Sequence, residues 1–262
     1  MGAAEVVDDL LAHGRSAFST AEAAGLLGVP ADHVRVRLNP LVHQGKVFSP
    51  ARGLWVAIPP EYRTWKVTPG LQFLDAMMRH LGREYYVGWL SAAELHGAAH
   101  QRPQVLQVAV DRRVADKDLG RVRLQFVERK HAAEIPRLQR NVPTGHVWVS
   151  TPEATALDLA ADPASGAGLS NVATVLAELC EDGKLVSAEL SNAAELFPLA
   201  AVRRLGFLLE VVEQHDLAAP LHEITQRRRQ IRPDRLAPDG ADRGPVDARW
   251  RLRINSVVEP DL

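Results

Sequence analysis

Cysteine is almost absent from this chain. The one present, Cys180, excludes an internal disulfide and fits a reducing compartment. Long apolar runs are missing too. No stretch is long enough to span a bilayer, and residues 1–17 lack the pattern of a secretory signal, so no membrane association is expected and the expected location is the cytoplasm. A dominant charge is also missing. The 31 Lys and Arg against 32 Asp and Glu leave a net charge of −1, which excludes binding to nucleic acid through overall charge. Any such affinity must be local. There is no phosphate-cradling glycine loop, no Ser-His-Asp order and no kinase signature, so neither an enzyme nor a cofactor is expected. No repeat or heptad is visible. Abundant Ala and Arg with few Lys fit a GC-rich bacterial genome.

What is there suits a folded chain of two domains: 262 residues, 46% hydrophobic and 24% charged. The expected class is α+β, with an N-terminal winged helix-turn-helix over residues 1–60. A larger mixed α/β domain over 61–262 follows, with a helical C-terminal part. The N-terminal expectation rests on Phe18–Ile58. Ser19 or Thr20 caps a short helix with Glu22 in its first turn. Gly28-Val29-Pro30 is a tight turn. A second helix follows, with Val34, Leu38 and Leu41 inward and His33, Arg35, Val36 and Arg37 outward. Asn39-Pro40 predicts a kink or a recapped last turn. Pro50-Ala51-Arg52-Gly53 is read as a hairpin turn and Leu54-Trp55-Val56 as its return strand. In a winged helix the second of these helices normally lies in the DNA major groove.

Candidate DNA-binding residues follow from that plan. Between Ala31 and Val56, Arg35, Arg37, Lys46 and Arg52 oppose only Asp32, a local charge of 4 − 1 = +3. Arg35 and Arg37 suit guanine edges and phosphates alike. His33 shares their exposed face, and Asn39 either reads a base or caps. Thr20 either bonds a phosphate or caps its helix. Arg52 belongs at the wing tip, and Lys46 either meets a phosphate or is simply exposed. A second basic stretch runs from Arg121 to Arg140, with Arg121, Arg123, Arg129 and Lys130 at its start. It is either a further contact surface for DNA or an acidic partner, or a solvated face. A third, Gln226–Arg253, holds nine Arg against four Asp; its first part, Gln226–Gly244, is read as a long surface loop. Acidic residues gather at Glu178, Glu181, Asp182, Glu189 and Glu195.

In the second domain, Pro59-Pro60 marks the boundary and Tyr62–Val67 an extended connector. Thr68-Pro69 opens a helix to about Leu81 with Leu71, Leu74, Met78 and Leu81 inward. Tyr85–Trp89, Val105–Val110, Val122–Val127 and His146–Val149 read as strands. Ser91 caps a short helix, and Thr151-Pro152-Glu153 starts a strong one. Helices are expected over Leu169–Glu181, Ser187–Phe197 and Pro198–His215, and a closing strand over Trp250–Val258. Glu94-Leu95-His96 with His100 invites a metal reading, but no third ligand sits at the required spacing; His96 is expected to bond a backbone carbonyl. Glu153 and Asp158, five apart, fall on different helix faces, so paired-carboxylate catalysis is not expected and Glu153 reads as a helix-start charge.

Three fragments come in a familiar order: Tyr85-Tyr86-Val87-Gly88-Trp89-Leu90-Ser91-Ala92-Ala93-Glu94-Leu95-His96-Gly97, Ser150-Thr151-Pro152-Glu153-Ala154-Thr155-Ala156-Leu157-Asp158-Leu159 and Arg203-Arg204-Leu205-Gly206-Phe207-Leu208-Leu209-Glu210. Behind the N-terminal pattern, they resemble the AbiEi family, antitoxins of AbiE-type (type IV) toxin–antitoxin systems. The resemblance implies that the N-terminal domain binds inverted repeats in double-stranded DNA of its own promoter and represses it. It also implies that the C-terminal domain counters a nucleotidyltransferase-like toxin, by direct contact, indirectly or by modification. The alternative is a winged-helix regulator whose second domain senses a ligand or a partner unrelated to a toxin. An enzyme with a DNA-targeting domain is the third class, and no catalytic constellation supports it.

Overall fold

Short-range chemistry accounts for the first elements. In the computed structural model, which describes residues 2–99, 103–181, 183–228 and 232–261, helix α1 (Ala3–Ala12) buries Val6, Val7 and Leu10. After strand β1 (Ala17–Ser19) comes helix α2 (Thr20–Leu27). A reciprocal cap starts α2: Ser19 Oγ accepts the Glu22 N–H at 3.1 Å, and the Glu22 carboxylate accepts the Ser19 N–H at 2.7 Å. That N–H holds the Glu22 carboxyl below its ordinary value. Gly28 ends α2 with a left-handed φ of 64°.

Helix α3 (Ala31–His43) buries Val34, Leu38 and Leu41, as their spacing predicts. Helix α3 continues through Pro40, so Asn39 does not recap a separate last turn. The carbonyl that Pro40 leaves without a donor belongs to Val36, whose side chain is 68% exposed, so it lies on the face where water can serve it.

Strands β2 (Val47–Ala51) and β3 (Leu54–Ala57) form a hairpin that turns on Arg52-Gly53 alone. Pro50 and Ala51 belong to the strand and not to the turn. In the sheet order β1-β3-β2 the proline is on an edge, where its missing donor costs no ladder bond, and the register shifts beside it. Gly53 takes the positive φ of 82° that the tight turn needs.

The segment after the hairpin is not extended. Pro60–Tyr62 is a 3₁₀ turn and further turns run to Lys66. Gly45 explains the compactness, since a Cβ there would lie 2.7 Å from the Arg63 carbonyl oxygen. Helix α4 (Gly70–Leu81) buries Phe73, Leu74, Met77 and Met78, while Leu71 and Leu81 are half-buried. The stripe is shifted because α4 is covered on two sides. Phe73 meets Phe48 of the hairpin edge-on at 5.2 Å, and a Cβ at Gly70 would lie 2.9 Å from Leu106.

A six-stranded sheet follows, with the order β6-β7-β5-β4-β9-β8. Its strands are β4 (Tyr85–Val87), β5 (Leu106–Val110), β6 (Lys117–Asp118), β7 (Arg123–Glu128), β8 (Arg137–Val142) and β9 (Gly145–Ser150). β5 and β7 pair in parallel from Leu106↔Leu124 to Val110↔Glu128. Helix α5 (Trp89–Leu95) begins earlier than Ser91 suggests. Gly88 is its N-cap, Trp89 takes φ 51°, and Ser91 is buried inside it.

The remaining chain is mainly helical: α6 (Pro152–Ala161), α7 (Leu169–Glu181), α8 (Ser187–Ala194), α9 (Leu199–Val211) and α10 (His215–Arg227). Thr151 caps α6 as expected. Glu153 does more than complement the helix start: it is buried and accepts the Val186 N–H at 3.0 Å, tying α6 to the entry of α8. His96 meets the Ser150 carbonyl at 2.8 Å, the backbone role its pattern predicts; His100 lies outside the described residues. A single helix over 198–215 is expected from sequence, but the chain breaks at Glu213 (φ 61°) and restarts as α10. Of the closing strand only β12 (Leu252–Arg253) pairs, between β10 (Asp234–Arg235) and β11 (Val246–Asp247). Among the described residues there are ten α-helices and three sheets, a mixed α/β fold, and no helix long and apolar enough to cross a membrane.

The chain divides into two compact units with alternating segments. One holds everything through Tyr86, then Gln104–Ala133 and Gln139–Trp148; the other holds Val87–Pro103, Glu134–Leu138 and Val149 onward. In the second unit, Arg203 (1% exposed) meets Asp234 at 2.8 Å. Arg204 caps the C-terminus of α6 through the Ala160 and Ala161 carbonyls and also donates to the Arg235 carbonyl. Gly206 faces the Trp250 ring, and a Cβ there would lie 2.0 Å from it.

Cys180 lies on α7, where burial pushes its thiol up to about 11. At pH 8 the folded thiol is expected to alkylate roughly 100-fold more slowly than the same thiol in urea. Equal rates by mass-spectrometric labelling would show that the thiolate forms as easily in the fold.

Candidate nucleic-acid interface

Helix α3 and the β2–β3 hairpin diverge to leave an open groove of about 650 Å³. Thr20, Arg35, Asn39 and Arg52 all line it, so four of the seven residues singled out from the N-terminal sequence converge on one place. Spacing explains the α3 contribution. Arg35 and Asn39 are one helical turn apart, on the flank turned toward the hairpin, and Asp32 precedes them on the same side. The two-residue turn puts Arg52, exposed, at the hairpin tip.

Two long-range hydrogen bonds fix the walls. The Trp55 indole N–H donates to Thr20 Oγ1 at 3.0 Å, leaving the hydroxyl proton free to be directed to an acceptor in the groove. Thr20 is therefore not the cap of α2, which is Ser19, and its own backbone N–H is taken by the Gly53 carbonyl at 2.8 Å. The helix-terminus reading of Thr20 is closed, and only its hydroxyl remains for a ligand. At the hairpin tip, His80 Nε2 of α4 donates to the Arg52 carbonyl at 3.0 Å. The tip is thus held from behind while the Arg52 side chain stays exposed.

The other candidates lie elsewhere. His33 and Arg37 are exposed on the far flank of α3. Lys46 is half-buried at the opposite end of the hairpin from Arg52, where its backbone bonds Leu41 and Ile58. Arg121 and Arg123 are exposed at the start of β7, and the Arg121 guanidinium lies over the Trp65 ring at 5.3 Å from the centroid. Arg129 is half-buried and Lys130 exposed just beyond that strand. Asp182 of the acidic group lies outside the described residues, as does Arg229 of the last basic stretch.

Ser49, Phe48 and Trp55 complete the groove wall, and sequence reading did not single them out for the site. His80 was missed as well. A basic residue in a last helical turn reads as a complement to the helix dipole, with nothing local to signal a partner 28 residues away. The groove therefore offers two guanidinium groups, a hydroxyl and an amide on a concave wall, with one carboxylate at its edge. That donor set suits a chain of phosphates. Among the described residues no cluster of three or more His, Cys, Asp or Glu is arranged to hold a metal.

Comparison with known proteins agrees with this architecture. The chain is similar to the RV2827C protein from Mycobacterium tuberculosis, whose crystal structure superposes with a TM-score of 0.67 over 95% of this chain and 90% of that one. The two share 18% identity, so the likeness concerns the fold. No curated protein matches the sequence. The family model of the AbiEi antitoxin C-terminal domain matches residues 86–211, from β4 through α9. That segment, just under half of the chain, is what this protein shares with the AbiEi antitoxin family.

Proposed function

We propose that this antitoxin is also a DNA-binding autorepressor, cytoplasmic and non-enzymatic, whose N-terminal elements act as a winged helix-turn-helix. In this reading α2 and α3 are the helix pair, α3 enters the major groove and the β2–β3 hairpin is the wing. The observation that carries it is the groove joining Thr20, Arg35, Asn39 and Arg52 between α3 and the hairpin. A single such module reads few base pairs, so inverted half-sites in the gene's own promoter and paired binding are expected. The AbiEi domain counters a nucleotidyltransferase-like toxin encoded beside it, and the basic face at Arg121, Arg123, Arg129 and Lys130 adds contacts to DNA.

Gel shifts with the full chain on the DNA upstream of its own gene test the first half. Arg35→Ala/Arg52→Ala should weaken binding about 10- to 100-fold and lower the slope of log K against log salt by roughly 2. Unchanged affinity and slope would sink the groove as a DNA site. Co-expression with the neighbouring gene tests the second half. The same double variant should still relieve toxicity, and a neighbour that is harmless when expressed alone would sink the toxin assignment.

A further inference from the structure

The exposed face of α3 is not centred on its arginines. At about 100° per residue, Val34, Leu38 and Leu41 gather on one side and Val36 falls roughly opposite them. Arg35 and Arg37 then stand about 100° to either side of Val36. The exposures agree, since the three inward residues are buried and Val36 is 68% exposed. Arg35 lines the groove beside the hairpin, and Arg37 takes the other flank. Asp32, His33, Asn39, Pro40 and His43 complete the exposed arc.

A β-branched apolar side chain at the crest of a surface helix is favoured neither by helix propensity nor by packing. A helix that enters a major groove turns toward the base edges the face opposite its own core, while its flanks meet the two phosphate backbones. The apolar feature of the major groove is the thymine 5-methyl group. Resting on the DNA-binding reading above, we infer that Val36 is a specificity residue that reads a thymine methyl. Arg35 and Arg37 anchor the backbones on either side of it.

The division of labour has a direct test. Duplexes are selected from a random 30-base-pair pool by the full-length protein, and each thymine of the resulting consensus is replaced by uracil, which lacks only the methyl. At one thymine position the replacement, made in a single half-site, should weaken wild-type binding about fourfold, the worth of burying one methyl group. Val36→Ala should bind the thymine and uracil duplexes alike, and a circular dichroism melt checks that it folds. Arg35→Ala and Arg37→Ala should weaken all duplexes together, lower the salt slope by about 1 each, and select the same consensus. Retained uracil sensitivity in Val36→Ala overturns the inference, as does a changed consensus in either arginine variant. Binding by the wild type without sequence preference also overturns it, while leaving DNA binding standing. A wild-type protein that retains no duplex at all sinks the DNA-binding reading itself.

Discussion

Gly206→Ala is expected to destabilise the protein by about 3 kcal/mol, the upper part of the range for overpacking a core. The Cβ would lie 2.0 Å from Trp250 Cη2 and 2.1 Å from Cζ3. The ring has little room to yield. It is 1% exposed, its Nε1 donates to Glu210 Oε2 at 2.8 Å, and His222 packs edge-on to it at 5.5 Å. Thermal melts should show the midpoint falling by roughly 6–12 °C. Trimming the ring by Trp250→Leu in the same chain should recover part of that loss. A melting temperature equal to wild type would mean that the ring does not rest on the α9 backbone.

Arg204→Ala should cost about 3–5 kcal/mol, as expected for removing a buried charged group and stranding its partners. Arg204 is 7% exposed and serves three carbonyls: Ala160 at 2.8 Å, Ala161 at 3.2 Å and Arg235 at 3.0 Å. Burial lowers its pKa, and Asp234, Asp162 and Asp239 oppose that shift. Urea unfolding is the measurement. Arg204→Lys should recover only part of the loss, because one ammonium cannot reproduce the planar fork. Full recovery by lysine would show that charge alone holds the joint. Together the two variants give Arg203-Arg204-Leu205-Gly206 a physical meaning. The fragment is a structural joint, tying α9 to the end of α6, to β10 and to Trp250. In co-expression, both variants should lose toxin relief only in proportion to the folded protein that remains.

Elements whose causes are local were legible. Ser19 and Glu22 sit three apart, Val34, Leu38 and Leu41 repeat at helical spacing, and Thr151-Pro152-Glu153 announces α6 within three residues. Features set by distant partners were not legible. The α9–α10 break falls at Glu213 with neither Gly nor Pro to mark it. β8 is polar and mostly exposed or half-buried, so its alternation is faint, and it passed unread. Trp89 enters α5 with a positive φ that no local rule assigns to tryptophan. The candidate site divides in the same way. Arg35, Asn39 and Arg52 follow from helix and hairpin positions. The bonds that shape their groove join Thr20 to Trp55 and Arg52 to His80, 35 and 28 residues apart.

The alternation of segments between the two units bears on how such a protein changes over generations. A module acquired by gene fusion lies to one side of one junction and can be exchanged by one recombination event. Here six stretches alternate, three in each unit, so no single crossover transfers one unit intact without part of the other. The elements around the proposed DNA site are the exception, because α1 to β3 run without interruption from Ala3 to Ala57. In the DNA-binding reading, one crossover after β3 would therefore exchange the groove while leaving every later segment of both units in place.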